Sequence, residues 1–321
     1  MNHADQRLAR LTGKLGEFFA RLAGVAALTP YDRAIAGLPK EDFLTYQGRR
    51  VHVEERGCGP PLLLLHGFAA STFSFHPLIP HLAGDFRVVA LDYHGFGYTE
   101  RPTAREDFDI AAQLDLIRHV MDAKRMGSAV VLGQSFGGTL ALLLAQADPN
   151  RVKQLVLVGP ATEFGAPPAW VRIPIARWAG YLACRWLLSS PKRFRSVQGR
   201  AYYRKEVLTE EVAEAYRQRL LIAGMREAYF AFTSGMASGK SPGLIVTGIT
   251  TPALVVTGRH DALIPPEQAH RLVAALPSAR LLILERSGHS APEEEPEALA
   301  QAIREFAAAE QQVSAAPAEG G

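Results

Sequence analysis

Cysteine is nearly absent: Cys58 and Cys184 are the only two in 321 residues, and their separation fits no redox or metal-ligand spacing. No disulfide framework follows, and a reducing compartment, the cytoplasm, is the default expectation. No apolar run approaches the roughly 18 residues that a membrane-spanning helix needs. Arg10, Lys14, Glu17 and Arg21 interrupt the N-terminal apolar residues, so a secretory signal is not expected either. Phosphate-cradling motifs are missing: there is no Gly-Lys-Ser/Thr, and no strand–Gly-x-Gly-x-x-Gly–helix unit. No internal repeat is visible. A net charge of only +3 gives no reason to expect a nucleic-acid partner. With 48% hydrophobic and 21% charged residues, what remains is a globular chain able to bury a sizeable core.

The stretch that organises this chain is Val130–Gly138, Val-Val-Leu-Gly-Gln-Ser-Phe-Gly-Gly. A β-rich apolar run ends at Gly133-Gln134-Ser135-Phe136-Gly137, and a helical pattern starts immediately after it. This is strand, sharp turn and helix with a serine at the apex, the G-x-S-x-G nucleophile elbow. Glycines two residues either side of Ser135 allow strand and helix to approach closely around a strained turn.

Around the elbow, apolar runs alternate with helical patterns. Phe43–Gln47 and Val51–Glu55 predict a hairpin; Pro61–Leu65, Arg87–Leu91, Ala129–Leu132, Val152–Val158, Ala253–Thr257 and Arg280–Leu284 predict further strands. Helices are expected over about Thr72–Leu82, Ile110–Asp122, Ser135–Ala147, Glu267–Leu276 and Pro296–Ala308. Such alternation implies a mainly parallel sheet with right-handed crossovers. It stops over residues 161–240, which show helical stretches near Trp170–Leu188 and Thr209–Phe232 and no strand. The organisation is therefore a segment 1–41, a first core part 42–160, a helical insert 161–240, a second core part 241–310 and a tail 311–321 expected to be disordered.

Loops at the carboxyl ends of the strands carry His66-Gly67-Phe68, Ser135, Asp261 and His289. A serine hydroxyl attacks a carbonyl only when a base takes its proton. Imidazole suits that task near neutral pH, and a carboxylate fixes its tautomer. Taken in chain order, Ser then Asp then His at strand ends, with Leu65-His-Gly-Phe68, Asp92-Tyr-His-Gly-Phe-Gly-Tyr-Thr99, Gly258-Arg-His-Asp261 and Gly288-His289 followed by Glu294 and Pro296, the chain resembles the α/β-hydrolase superfamily over about residues 43–160 and 243–308. The resemblance implies an α/β fold with an eight-stranded, mainly parallel sheet, helices on both faces, and the insert as a helical cap. It also implies a Ser135–Asp261–His289 triad with no metal and no organic cofactor. The backbone N–H groups of Phe136 and Phe68 are then the expected oxyanion-hole donors. Glu163 is the alternative acid; His66 and Asp92 are expected to shape loops, and His260 to point away from the site.

Serine rather than aspartate at 135 argues against dehalogenase or epoxide-hydrolase chemistry, as does the lack of a proline two residues beyond His66-Gly67. Ester hydrolysis is the expected reaction, on apolar or acyl-chain substrates of the esterase or monoacylglycerol-lipase kind. C–C hydrolysis of meta-cleavage products is the alternative, with Ser290 standing where those enzymes commonly carry an aromatic. Perhydrolase, acyltransferase and non-catalytic binding roles stay open, as does the oligomeric state.

Positive charge is concentrated outside the core. Residues 1–40 carry six Lys/Arg against three acids, and residues 161–240 carry thirteen against six. Leu8, Leu11, Leu15, Phe18, Phe19 and Leu22 mark a basic amphipathic helix within residues 5–28, ended by Thr29-Pro30. Two readings are open for this helix and the Trp- and Leu-rich insert: packing on the protein itself, or peripheral contact with an anionic membrane.

Overall fold

The computed structural model describes residues 25–104, 106–163, 168–238 and 244–315. Its centre is one eight-stranded sheet: β1 (Phe43–Tyr46), β2 (Arg49–Arg56), β3 (Pro61–Leu65), β4 (Arg87–Leu91), β5 (Ala129–Gln134), β6 (Val152–Val158), β7 (Ala253–Gly258) and β8 (Ala279–Leu284). The spatial order is β1-β2-β4-β3-β5-β6-β7-β8. β2 runs antiparallel to both β1 and β4, and every later pairing is parallel. The unbroken apolar strands have a direct cause, since both faces are buried and each takes alternate residues. Leu63, Leu65, Val131, Leu155 and Val255 face one core, while Leu62, Leu64, Val130, Val156 and Val256 face the other.

The longer helices among the described residues are α1 (Ile110–Ala123), α2 (Phe136–Ala147), α3 (Pro174–Leu188), α4 (Pro191–Gln198), α5 (Glu210–Leu220), α6 (Met225–Ser238), α7 (Pro266–Ala275) and α8 (Pro296–Ala315). Ile117 of α1, Leu140 of α2 and Leu272 of α7 pack on the first face of the sheet, and Leu299 and Ile303 of α8 on the second. Helices α3 to α6 are the insert between β6 and β7, with a cluster of their own around Phe194, Leu208 and Tyr216.

Local chemistry explains the departures from expectation. The helix expected over Thr72–Leu82 is two short pieces, Thr72–Phe75 and Ile79–Leu82, because Pro77 and Pro80 lack the N–H groups a continuous helix needs. The stretch Thr209–Phe232 is broken between α5 and α6, where Gly224 takes φ 92° and Thr29 bridges to Ile222. Helix α8 runs seven residues beyond Ala308, through an alanine-rich sequence of high helix propensity and into the stretch expected to be disordered. The amphipathic helix expected in residues 5–28 falls mostly outside the described residues. Residues 25–28 are not helical but bond to the insert, with Ala26 N–H donating to Arg185 O on α3. Among the described residues no helix is long and apolar enough to cross a membrane.

Candidate active site

Ser135 sits between β5 and α2 with φ 52° and ψ −117°, a conformation that a residue with a Cβ adopts only under constraint. Its surroundings explain why glycines flank it. A Cβ on Gly137 would run into the carbonyl of Leu65, one on Gly133 into the backbone of Gly137, and one on Gly138 would come within 2.6 Å of the Pro160 Cβ. Ser135 N–H donates to Val158 O (2.9 Å), and its carbonyl accepts from Ala161 N–H (3.1 Å), which clamps the turn against the end of β6.

Asp261 follows β7 and His289 follows β8. Their contact is 2.7 Å, His289 Nδ1 to Asp261 Oδ2, with both residues buried. A carboxylate only accepts, so this bond keeps a proton on Nδ1 and leaves Nε2 as the basic nitrogen. The other carboxylate oxygen accepts the backbone N–H groups of Leu263 and Ile264, each at 2.8 Å, which fixes the Asp261 plane. Gln134, next to the serine, donates its side-chain amide to His289 O (3.0 Å). The residue before Ser135 therefore holds the loop that presents His289. The expected acid alternative, Glu163, is exposed and paired with Arg271 at 2.6 and 2.9 Å, away from the imidazole's carboxylate partner.

The loop after β3 lies over the serine: a Cβ on Gly67 would be 3.2 Å from the Ser135 Cβ. Phe136 is the first residue of α2, so its N–H lacks an acceptor in the preceding turn. The Phe68 ring packs edge-on to Phe96 and Phe232 at 5.3 and 5.4 Å between centroids, and Phe96 contacts Phe232 at 5.0 Å. These rings form an aromatic wall joining the loop to α6 of the insert.

His66 and Asp92 shape this loop. His66 is fully buried, stacks on Tyr93 at 4.0 Å and approaches Gly67 O with Nδ1 at 2.8 Å. Burial pushes its imidazole below the ordinary histidine range against the pull of Asp92. Tyr93 O–H donates to His66 O at 2.5 Å, a second brace on the loop. The Asp92 carboxylate accepts from Thr72 N–H, Tyr98 N–H and the His52 ring at 2.7 to 2.8 Å. Burial opposes its ionisation, but His52 and these bonds outweigh burial and hold it well below the usual carboxylate range. His260, beside Asp261, stacks on Tyr203 of the insert at 3.8 Å.

Residues that composition does not single out tie the insert to the histidine loop. His289 N–H donates to Ala201 O (2.7 Å). Glu294 accepts from Gly288 N–H at one oxygen and from Tyr203 and Arg204 N–H at the other, at 2.7 to 2.8 Å. Glu293 receives the hydroxyls of Tyr202 (2.9 Å) and Tyr216 (2.7 Å), both from the insert. Burial pushes the Glu293 carboxyl up to about 8; the tyrosine bonds resist this and neighbouring Glu294 adds to it.

A carboxyl raised from 4.5 to about 8 keeps its proton in the folded chain over a range where the unfolded chain has lost it. Stability from this site is thus fully present below about pH 4.5 and falls by ~1.4 kcal/mol per pH unit up to about pH 8. Glu293→Gln imitates the protonated acid. The difference in unfolding free energy, Glu293→Gln minus wild type, is expected to grow with that slope across this range when both are titrated with urea at stepped pH. A difference that stays constant contradicts the assignment.

The alpha/beta hydrolase fold family model matches residues 60–296. The 2-hydroxymuconate semialdehyde hydrolase of Pseudomonas putida is 30% identical over 272 residues, covering 81% of this chain and 92% of that protein. The pimeloyl-[acyl-carrier protein] methyl ester esterase of Aeromonas hydrophila subsp. hydrophila is 29% identical over 264 residues, 80% of this chain and 98% of that one. Among solved structures, a mutant of the meta-cleavage product hydrolase from Pseudomonas fluorescens IP01, complexed with acetates, superposes with a TM-score of 0.70 at 24% identity, covering 84% and 97% of the two chains. A strained serine after β5, an Asp–His pair after β7 and β8, and the family match over most of the chain lead to one statement: the chain belongs to the α/β-hydrolase fold family.

Proposed function

We propose that the protein is a serine hydrolase that cleaves carboxylic esters of apolar acyl groups, with Ser135, Asp261 and His289 as its catalytic triad. The observation that carries this reading is the strained Ser135 at the elbow, beside a loop whose imidazole is oriented by Asp261 at 2.7 Å. His289 Nε2 takes the Ser135 hydroxyl proton as Oγ bonds to the ester carbonyl carbon. The carbonyl electron pair moves onto oxygen, facing the Phe68 and Phe136 N–H groups. Collapse expels the alkoxide, which leaves as the alcohol with the proton from His289. Water then enters by the same route in reverse: it gives a proton to His289, attacks the acyl carbon and releases the acid and free Ser135. The linked rings of Phe68, Phe96 and Phe232 favour an apolar acyl chain over a charged one.

A second reading has its own support, because C–C hydrolases of meta-cleavage products stand among the relatives at about this identity. The two readings separate in one experiment. The enzyme is assayed on p-nitrophenyl esters graded by chain length and, in parallel, on 2-hydroxymuconate semialdehyde. Ester reading: kcat/KM rises with acyl length to an optimum and exceeds that for the dienoate at least tenfold. Dienoate turnover well above every ester overturns it in favour of C–C cleavage.

A further inference from the structure

The outward face of α3 is apolar from end to end. Exposed residues recur at helical spacing: Ile175, Trp178, Ala179, Ala183 and Trp186, with half-buried Leu182 between them. Ile175 is 78% exposed, Trp186 51% and Trp178 37%, and the short turn leading into the helix adds Ile173 at 50% and Trp170 at 41%. The opposite side of the same helix, Tyr181, Arg185 and Leu188, is buried against the insert. Contiguous exposed apolar residues rimmed by charged ones mark interaction sites on globular surfaces. The tryptophans expected from sequence either to line the protein's own interior or to meet a membrane are thus on the outside.

We infer that this face of the insert docks on an anionic lipid bilayer, with Ile175, Trp178 and Trp186 entering the interface and the surrounding cations meeting lipid phosphates. Charge selects this occupant. From Pro168 to Lys205 the chain has nine Lys/Arg and no Asp or Glu. Arg172 and Lys192 are exposed beside the stripe, and the Arg193 guanidinium lies 4.0 Å over the Trp186 ring. Next to it, Lys192, Arg195, Arg200 and Lys205 line one cavity of about 820 Å³ together with Leu208 and a single acid, Glu210. Two copies meeting through this face would bring like charges together, whereas a phosphate surface neutralises them. Tryptophan at the border of water and hydrocarbon is its preferred membrane position. The chain's other basic apolar-striped stretch, residues 5–22, ends shortly before Ala26, which bonds with Arg185 of α3 through both its N–H and its carbonyl.

The chain has three tryptophans, all in this patch, so tryptophan emission excited selectively at the red edge reports on this face. Full-length protein is mixed at low salt with phosphatidylglycerol vesicles or phosphatidylcholine vesicles, then followed by emission and co-sedimentation. Expected are a blue shift and sedimentation with phosphatidylglycerol, at least tenfold weaker with phosphatidylcholine, and reversal at high salt. Ile175→Asp and Lys192→Glu should each weaken binding at least fivefold and leave hydrolysis of a soluble ester unchanged. Ser135→Ala should bind vesicles as the wild type does, which separates this inference from the catalytic one. The inference is overturned if emission and sedimentation do not change with phosphatidylglycerol, if binding survives the double variant Ile175→Asp/Lys192→Glu, or if the blue shift comes with dimerisation and needs no lipid.

Discussion

Ser135→Ala is expected to reduce kcat on the best ester by about 10⁶ while leaving the melting temperature within a few degrees of wild type. The size follows from what is removed. In the proposed mechanism the hydroxyl oxygen forms the acyl-enzyme and nothing replaces it in the variant, which would keep only substrate binding and the proposed oxyanion donors. The fold is spared because alanine keeps the Cβ, and the turn is held by the Ser135 backbone bonds to Val158 and Ala161 rather than by the hydroxyl. Steady-state kinetics with circular dichroism on the same samples checks both halves. Residual turnover within a hundredfold of wild type places the nucleophile elsewhere.

Asp261→Asn is expected to cost about 10⁴ in kcat with KM little changed. The side chain keeps its shape, and Leu263 and Ile264 N–H still find an oxygen. What changes is the group facing His289. An amide that presents N–H to Nδ1 reverses the bond, moves the imidazole proton to Nε2 and leaves no base toward Ser135. Glu163→Gln is the internal control and should keep wild-type kinetics, since it breaks only an exposed ion pair with Arg271. If instead Asp261→Asn is active and Glu163→Gln is not, the acid has been misassigned.

The parallel sheet was legible in the chain because each central strand is buried on both faces, so Leu62–Leu65 and Val130–Leu132 read as unbroken apolar runs. The elbow was legible because backbone crowding leaves room only for glycine at 133 and 137, and that constraint is written in residue identity. Helix breaks were harder to see. Pro77 and Pro80 sit inside an otherwise helical pattern, and the division between α5 and α6 depends on Thr29, nearly two hundred residues earlier. Interactions made through backbone atoms leave no mark on composition at all. Nothing in Ala201 announces that its carbonyl holds His289, nor does Gln134 show that it reaches the same loop across 155 positions. Glu293 was hidden for another reason. It stands in a run of three glutamates, which reads as a solvated helix start, and only the tertiary fold puts two tyrosine hydroxyls on it. For the tryptophans, content was visible but direction was not: the 3.6-residue period gives α3 two faces, and only the packed insert shows which one it buries.

The central claim, an alcohol made nucleophilic by an oriented imidazole, is tested most directly by covalent labelling. Wild-type protein is incubated near neutral pH with an alkyl fluorophosphonate, digested and analysed by tandem mass spectrometry. One phosphonyl adduct on Ser135 is predicted, formed in step with loss of ester hydrolysis and absent from His289→Ala under the same conditions. An unlabelled Ser135 with full loss of activity, or equal labelling of Ser135 when His289 is gone, contradicts it.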